Sequence, residues 1–149
     1  MPDELLRPTI SADIDLSARP WRLMSQAYVA FFGGVIATTV IAVLNARRLG
    51  VPVSGRRQLV LSGVMGLILA AVAIVLLTDQ VTASSGTRLA IRVVAVLTCL
   101  FQLRIQQPMD RAFQLRGTEY KSLWGPGIAA VVGCGLLEVG LLALVVTAV

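Results

Sequence analysis

One acidic residue lies deep inside an apolar stretch of this sequence. Glu138 stands about midway along residues 128–149, between Leu137 and Val139, and the stretch is otherwise apolar except for Thr147. Placing a charged side chain at the centre of a bilayer costs about 2.5–3.5 kcal/mol or more, so such a residue must find a partner inside the protein or be protonated. Glu138 is therefore the first candidate for proton or cation chemistry in this chain.

A second set of polar residues lies on one helical stripe between residues 88 and 106. Its members are spaced by 4, 3, 4, 3 and 4 residues, which places them on one side of a helix. Cys134 and Glu138 also share a helix face, at i, i+4 spacing. We expect these two faces to pack together and to bring Arg92 near Glu138. The stripe consists of Arg88, Arg92, Ala95, Cys99, Gln102 and Gln106.

Two interpretations of this candidate site remain open. In the first, Glu138 and Arg92 neutralise each other, or Glu138 bonds to Gln102, and the contact fixes the register of the helices. In the second, Glu138 is a proton or cation site that lines a path through the membrane. The candidate intramembrane polar site comprises Glu138, Arg92, Gln102, Cys99 and Cys134.

The residue types that the chain lacks argue against an enzyme. It contains no histidine, so Ser-His and Cys-His nucleophilic arrangements are excluded, as is the commonest metal ligand. Cys99 and Cys134 lie in separate apolar runs and indicate two reduced thiols packed among helices. No sequence motif for nucleotide hydrolysis, zinc proteolysis or serine hydrolysis is present. We expect no catalytic residues, no cofactor and no metal.

The composition indicates the solvent in which these residues must be positioned. The chain of 149 residues is 56% hydrophobic and 14% charged, compared with about 45–50% and about 25% in soluble domains. The sequence predicts an all-α, polytopic membrane protein with four transmembrane helices in an antiparallel bundle. A polar N-terminal tail (1–22) is expected to precede a transmembrane domain (23–149) with helices at about 24–46, 58–78, 88–107 and 126–148.

The four predicted helices rest on different observations. Residues 23–46 and 58–78 are free of charge over 24 and 21 residues, and about 20 residues suffice to cross a bilayer. The adjacent Gly33 and Gly34 favour close helix contact or a slight kink. The third helix contains Arg92 and crosses only if that charge is compensated. Residues 108–124 are expected to form an amphipathic segment on the membrane surface.

The distribution of positive charge predicts the orientation of the chain. With four crossings, the loops after the first and third helices share one side and hold eight of the 13 Lys and Arg residues. Loops rich in Lys and Arg favour the cytoplasm. We therefore expect a plasma (inner) membrane protein with loops 47–57 and 104–124 in the cytoplasm and both termini outside, although Arg19 and Arg22 argue the other way. The candidate contacts to lipid headgroups are Arg47, Arg48, Arg56 and Arg57.

Two classes of function fit this sequence. The first is a non-enzymatic subunit or scaffold of a membrane complex. It would bind a membrane-protein partner or a second copy through the Ser62, Gly66 and Ala70 face, the glycine-rich fourth helix or the basic loops. The alternative is a small transporter or an ion or proton pathway that uses Glu138. The bilayer is a partner in both, and nucleic acid in neither, because the basic residues lie in short clusters between apolar runs.

Overall fold

The computed structural model describes residues 19–77, 83–115 and 119–148. About 88% of these residues are helical and none lies in a strand. Four helices are long and apolar enough to cross a membrane, so the predicted all-α class with four such helices is confirmed. Residues 1–18 of the predicted polar tail lie outside the described residues. The helices are α1 (Gln26–Arg48), α2 (Val53–Leu77), α3 (Ala83–Gln114) and α4 (Trp124–Ala148).

The helices extend beyond the apolar stretches that predicted them. α2 begins at Val53, ahead of the arginine pair at 56–57, and α3 continues through Pro108 to Gln114. Arginine and glutamine are good helix formers, so charge ends an apolar run without ending a helix. The first part of the expected surface segment 108–124 is therefore the last two turns of α3.

α1 is folded back on itself at Gly34. This residue has φ 78° and ψ −164°, a backbone conformation open essentially to glycine alone. Gln106 Oε1 accepts hydrogen bonds from the side-chain amides of both Gln26 and Asn45, at 3.5 and 3.1 Å, so the two donor atoms are at most about 7 Å apart. In a straight helix the Cα atoms of these residues would be about 28 Å apart. α1 is therefore a helical hairpin with a first arm (26–33), an apex at Gly34 and a second arm (35–48).

The hairpin lies between α3 and α4 and packs against both. The described parts of α3 and α4 make no backbone contact with each other. The expectation that the polar stripe of α3 packs on the Glu138 face of α4 is therefore wrong, because the hairpin occupies the space between them. Two apolar clusters stabilise this arrangement, one including Val29, Ile41 and Ala130 between α1 and α4, the other including Ala42 and Leu59 between α1, α2 and α3.

The small residues of α2 are used inside the bundle. A side chain at Gly63 would collide with Thr39, and one at Gly66 would meet Thr98 Oγ1 at 2.5 Å. Ala70 is fully buried. The small-residue face that the sequence offered as an association surface is thus filled by α1 and α3 of the same chain.

Most of the positive charge lies at one end of the bundle. Both arms of the hairpin open there, α2 and α4 begin there, and the Lys121 N–H donates to the Pro20 carbonyl at 2.9 Å. Residues 19 and 148 therefore lie at opposite ends of the bundle, since α4 runs away from this contact over 25 residues. We call this the basic end, because it holds nine of the eleven described Lys and Arg residues: Arg19, Arg22, Arg47, Arg48, Arg56, Arg57, Arg104, Arg111 and Lys121.

Candidate functional site

Glu138 binds the apex of the hairpin. Its Oε2 accepts a hydrogen bond of 2.7 Å from the backbone N–H of Ile36, and the residue is only 4% exposed. The first N–H groups of a helix have no partner within that helix, and the positive end of the helix dipole favours a carboxylate there. Glu138 thus caps the second arm of α1 from a different helix, 102 residues along the chain.

Two adjacent glycines allow α4 to approach the apex this closely. A Cβ at Gly34 would overlap the Glu138 carboxylate. A Cβ at Gly33 would lie 3.0 Å from the Val131 Cα and 2.6 Å from the Ala37 Cβ. The glycine pair, from which the sequence suggested at most a slight kink, therefore forms a full reversal of the chain and a binding position for a carboxylate.

The apex lies near the middle of α4. Glu138 is 14 residues from the start of α4 and 10 from its end. At 1.5 Å per residue these distances are about 21 and 15 Å. The hydrocarbon core is about 30 Å thick, so a bilayer that α4 crosses along its length would enclose the carboxylate well away from both surfaces.

Backbone carbonyl groups meet the same part of α4. The Gly33 carbonyl oxygen would lie 3.8 Å from a Cβ at Gly135. Gly135 and Glu138 are three residues apart and share one side of α4. The last carbonyls of the first arm have no partner within that arm. The apex therefore brings a backbone carbonyl oxygen and a carboxylate to one side of α4, and oxygen atoms of these two kinds are the ligands that a small hard cation prefers.

Arg92 does not pair with Glu138. Its guanidinium lies over the Phe31 ring, 4.9 Å from the centroid, and the residue is exposed on the bundle surface. Within the described ranges the ion pair that forms is Arg19–Glu119, at 3.7 Å and fully at the surface. The expected ion pair between Arg92 and Glu138 therefore does not form. A backbone N–H takes the place of the arginine, and Arg92 binds the first arm of the hairpin through a cation–π contact instead.

Gln102 joins three helices rather than contacting Glu138. Its Nε2 donates to Thr39 Oγ1 at 3.0 Å, to Ser62 Oγ at 3.2 Å and to the Leu59 carbonyl at 3.3 Å. The hydroxyls of Thr39 and Ser62 donate to carbonyls of their own helices, so their oxygens are free to accept. The Gln102–Glu138 bond considered from the sequence does not form.

A second group of buried amides closes the basic end of the hairpin. Besides accepting from Gln26 and Asn45, Gln106 donates to Gln26 Oε1 at 3.4 Å. Asn45 Oδ1 accepts from the Trp21 N–H at 2.7 Å. Gln26, Asn45 and Gln106 are all fully buried. Gln26 and Asn45 were not predicted as site residues, although an amide near each end of a charge-free run is a visible signal.

The two cysteines lie on different sides of the hairpin. Cys99 is buried on α3 beside Thr38 of the second arm. Cys134 is half-buried on α4 against the apolar cluster that α1 and α4 share. Both are free thiols. Cys134 is one turn from Glu138, whereas Cys99 belongs to the contact between α1 and α3.

The four arginines predicted to contact lipid headgroups all lie at the basic end, in different settings. Arg47 and Arg57 are exposed. Arg48 stacks on the Trp21 ring at 4.0 Å from its centroid and donates to the Arg19 carbonyl at 3.3 Å. Arg48 therefore holds the two ends of the hairpin together.

No protein-family model, no curated protein and no solved structure matches this chain. The apex of the hairpin, with its carboxylate midway along an apolar helix, is accordingly the feature from which a function is inferred.

Proposed function

We propose that this protein is a small membrane transport protein in which Glu138 binds and releases a proton or a small cation at the apex of the α1 hairpin. The observation that carries the proposal is the hydrogen bond from the Ile36 N–H to the Glu138 carboxylate at a helix break deep in the membrane. Non-helical backbone at this depth is found where protein buries it or where it lines a cavity. The ends of broken helices are also where transporters place their ion and substrate sites.

The proposed cycle needs two states of the apex. In the ionised state, the Glu138 carboxylate accepts from Ile36 and is stabilised by the positive end of the second arm. Addition of one proton, or of a cation shared with the Gly33 carbonyl, removes the net charge that this interaction requires. The apex is then free to change its position against α4. Ionisable side chains on the helices around it include Arg92, over Phe31, and Cys134, one turn before Glu138.

Proton flux in proteoliposomes tests the proposal. The protein is reconstituted with a pH-sensitive dye inside the vesicles, and a potassium gradient with valinomycin drives proton entry. Glu138→Gln keeps an acceptor for the Ile36 N–H but cannot ionise, so we expect flux to fall to that of protein-free vesicles. Glu119→Gln is the matched control, because that side chain is 88% exposed and lies at the basic end; its flux should equal that of the wild type. Equal flux in the wild type and Glu138→Gln would exclude a proton path through Glu138. Repeating the assay at constant pH with a sodium gradient and a sodium-sensitive dye distinguishes the two cargoes.

We propose further that the basic end faces the cytoplasm of a cell whose plasma membrane holds the protein. Four complete crossings would place both termini outside, as predicted from the sequence. A hairpin that returns to the basic end instead favours a cytoplasmic N-terminal side and a C-terminal side across the membrane, which also accommodates Arg19 and Arg22. In a background with both native cysteines replaced by serine, Ser54→Cys should resist an impermeant maleimide in intact cells while Gly86→Cys reacts. The opposite labelling pattern would reverse the orientation.

The alternative function, a subunit of a membrane complex, has one surface in its favour. A side chain added at Gly133 or Gly140 of α4 would meet nothing within 4 Å, so this part of α4 is open to another helix. If a partner or a second copy packs there, Gly133→Leu should abolish the higher-mass species on a blue-native gel while Val132→Leu, at an exposed neighbour, retains it. Mass spectrometry of that species would then separate a partner protein from a homo-oligomer. A single monomeric band from the wild type would argue against this function.

A further inference from the structure

A groove of about 530 Å³ lies between the first arm of α1 and the start of α4. Its floor is formed by the buried side chains of Val29 and Leu123, and its walls by the exposed Tyr28, Phe32 and Ile128. The volume falls within the range of about 300–1,000 Å³ that is usual for ligand sites. The wall residues are exposed on the apolar outer surface of the bundle, which would face the acyl chains when the bundle lies in a bilayer, so the groove would open sideways toward them.

The groove has a polar mouth at the basic end. Lys121 and Ser122 line it there, and Lys121 is anchored through its backbone N–H to the Pro20 carbonyl. No carboxylate of the described residues lies within 4.0 Å of the Lys121 ammonium. Ser122 Oγ accepts from the Trp124 N–H at 3.4 Å and keeps its own proton to donate. α4 begins at Trp124, so the positive end of its dipole adds to the charge of the lysine at this mouth.

We infer that this groove is a binding site for an anionic phospholipid, with an acyl chain along the apolar walls and the phosphate at Lys121 and Ser122. The lateral opening favours a ligand that comes from the bilayer rather than from water. Trp124, exposed at the rim, is the residue type that marks the headgroup level. The lysine at the mouth, which has no carboxylate partner among the described residues, selects for negative charge. This inference is independent of the function proposed for Glu138.

Quenching of tryptophan fluorescence by brominated lipids tests the site directly. The chain has two tryptophans, and Trp21→Phe leaves Trp124 as the reporter at the rim of the groove. The variant is reconstituted in phosphatidylcholine vesicles that contain a small, equal fraction of brominated phosphatidylglycerol or brominated phosphatidylcholine. We expect stronger quenching by the anionic lipid. Lys121→Gln should reduce the preference for it about five-fold, as expected for the loss of one cation near an anionic headgroup. Arg104→Gln, at an exposed arginine of the same end that lies outside the groove and is not among the predicted headgroup contacts, should leave the preference unchanged.

Two results would overturn the inference. Equal quenching by the two lipids, with no effect of Lys121→Gln, would show ordinary contact with bulk lipid. No quenching by either would show that another part of the chain or a protein fills the groove. If Trp21→Phe does not fold, the Trp124→Phe signal is subtracted from that of the wild type, since Trp21 is 1% exposed and contributes a constant background.

Discussion

Replacing Gly34 by alanine tests the hairpin at its apex. The conformation at φ 78° and ψ −164° costs a residue with a side chain about 1–3 kcal/mol. The new methyl group would also overlap the Glu138 carboxylate, so the hydrogen bond from Ile36 must lengthen or break. A buried polar group left without its partner costs about 1–3 kcal/mol more. We therefore expect Gly34→Ala to lower the free energy of unfolding by about 2–6 kcal/mol, a large share of the 5–15 kcal/mol of a typical domain.

The free energy is measured by unfolding in mixed micelles with increasing dodecyl sulfate. Gly133→Ala is the matched control, because it lies on the same helix as Glu138 and its added methyl group meets nothing within 4 Å. Glycine to alanine inside a helix is worth up to about 1 kcal/mol of stabilisation, so this variant should be at least as stable as the wild type. Adding Glu138→Ala to Gly34→Ala removes the overlap but not the backbone strain. The free energy of unfolding of the double variant should therefore fall by less than the sum of the decreases in the two single variants.

The distance between spin labels at Arg22 and Arg47 tests directly whether α1 is a hairpin. A continuous helix would separate these positions by about 37 Å. In the hairpin both flank the basic end, where the Arg48 guanidinium reaches the Arg19 carbonyl. A far shorter distance is expected in the wild type. A measured distance near 37 Å, or a Gly34→Ala variant as stable as Gly133→Ala, would refute the hairpin.

Two further predictions concern the basic end. The pKa of Tyr120 should lie above its usual value of about 10, because burial disfavours the phenolate and the Asp110 carboxylate, 2.9 Å away, accepts its O–H bond. Since the pKa is raised in the folded protein, the protonated Tyr120 stabilises the fold below about pH 10, and this contribution is lost as the pH rises beyond that value. Ultraviolet difference absorbance should show the shift in pKa, and Asp110→Asn should reduce it. Asn45→Ala and Gln106→Ala should show a coupling free energy of about 0.6–1.7 kcal/mol in a double-mutant cycle, and additive losses would show that their 3.1 Å hydrogen bond contributes nothing.

Periodicity and composition predicted the helices and the inward side of α3. Ala95, Cys99, Gln102 and Gln106 of the polar stripe are all buried, while Arg88 and Arg92 at its other end are exposed. A repeat of 3.5 residues specifies which side of a helix is distinctive. It does not specify which helix covers that side. The stripe was therefore predicted to pack against α4, whereas α1 and α2 cover it.

The hairpin could not be derived from its own segment. Twenty-four charge-free residues suffice for a crossing, and Gln26 and Asn45 near the two ends are equally compatible with two headgroup regions. What reverses the chain is contact with distant residues. Gln106 binds both ends and Glu138 caps the second arm, at sequence separations of 80, 61 and 102 residues. Only the Gly33–Gly34 pair is a local signal, and glycine pairs permit a reversal without requiring one.

The way in which Glu138 is compensated bears on its proposed role. The sequence suggested an opposite charge, Arg92, as its partner. In a buried ion pair, neutralising the carboxylate would leave an unpaired arginine in the membrane, at a cost of about 3–5 kcal/mol. Neutralising it at the apex leaves one backbone N–H group without its charged acceptor, at about 1–3 kcal/mol, while Arg92 stays at the bundle surface over Phe31. A carboxylate bound by the end of a helix can therefore change its charge at lower cost than one bound by an arginine. This property is what a site that takes up and releases a proton or a cation requires.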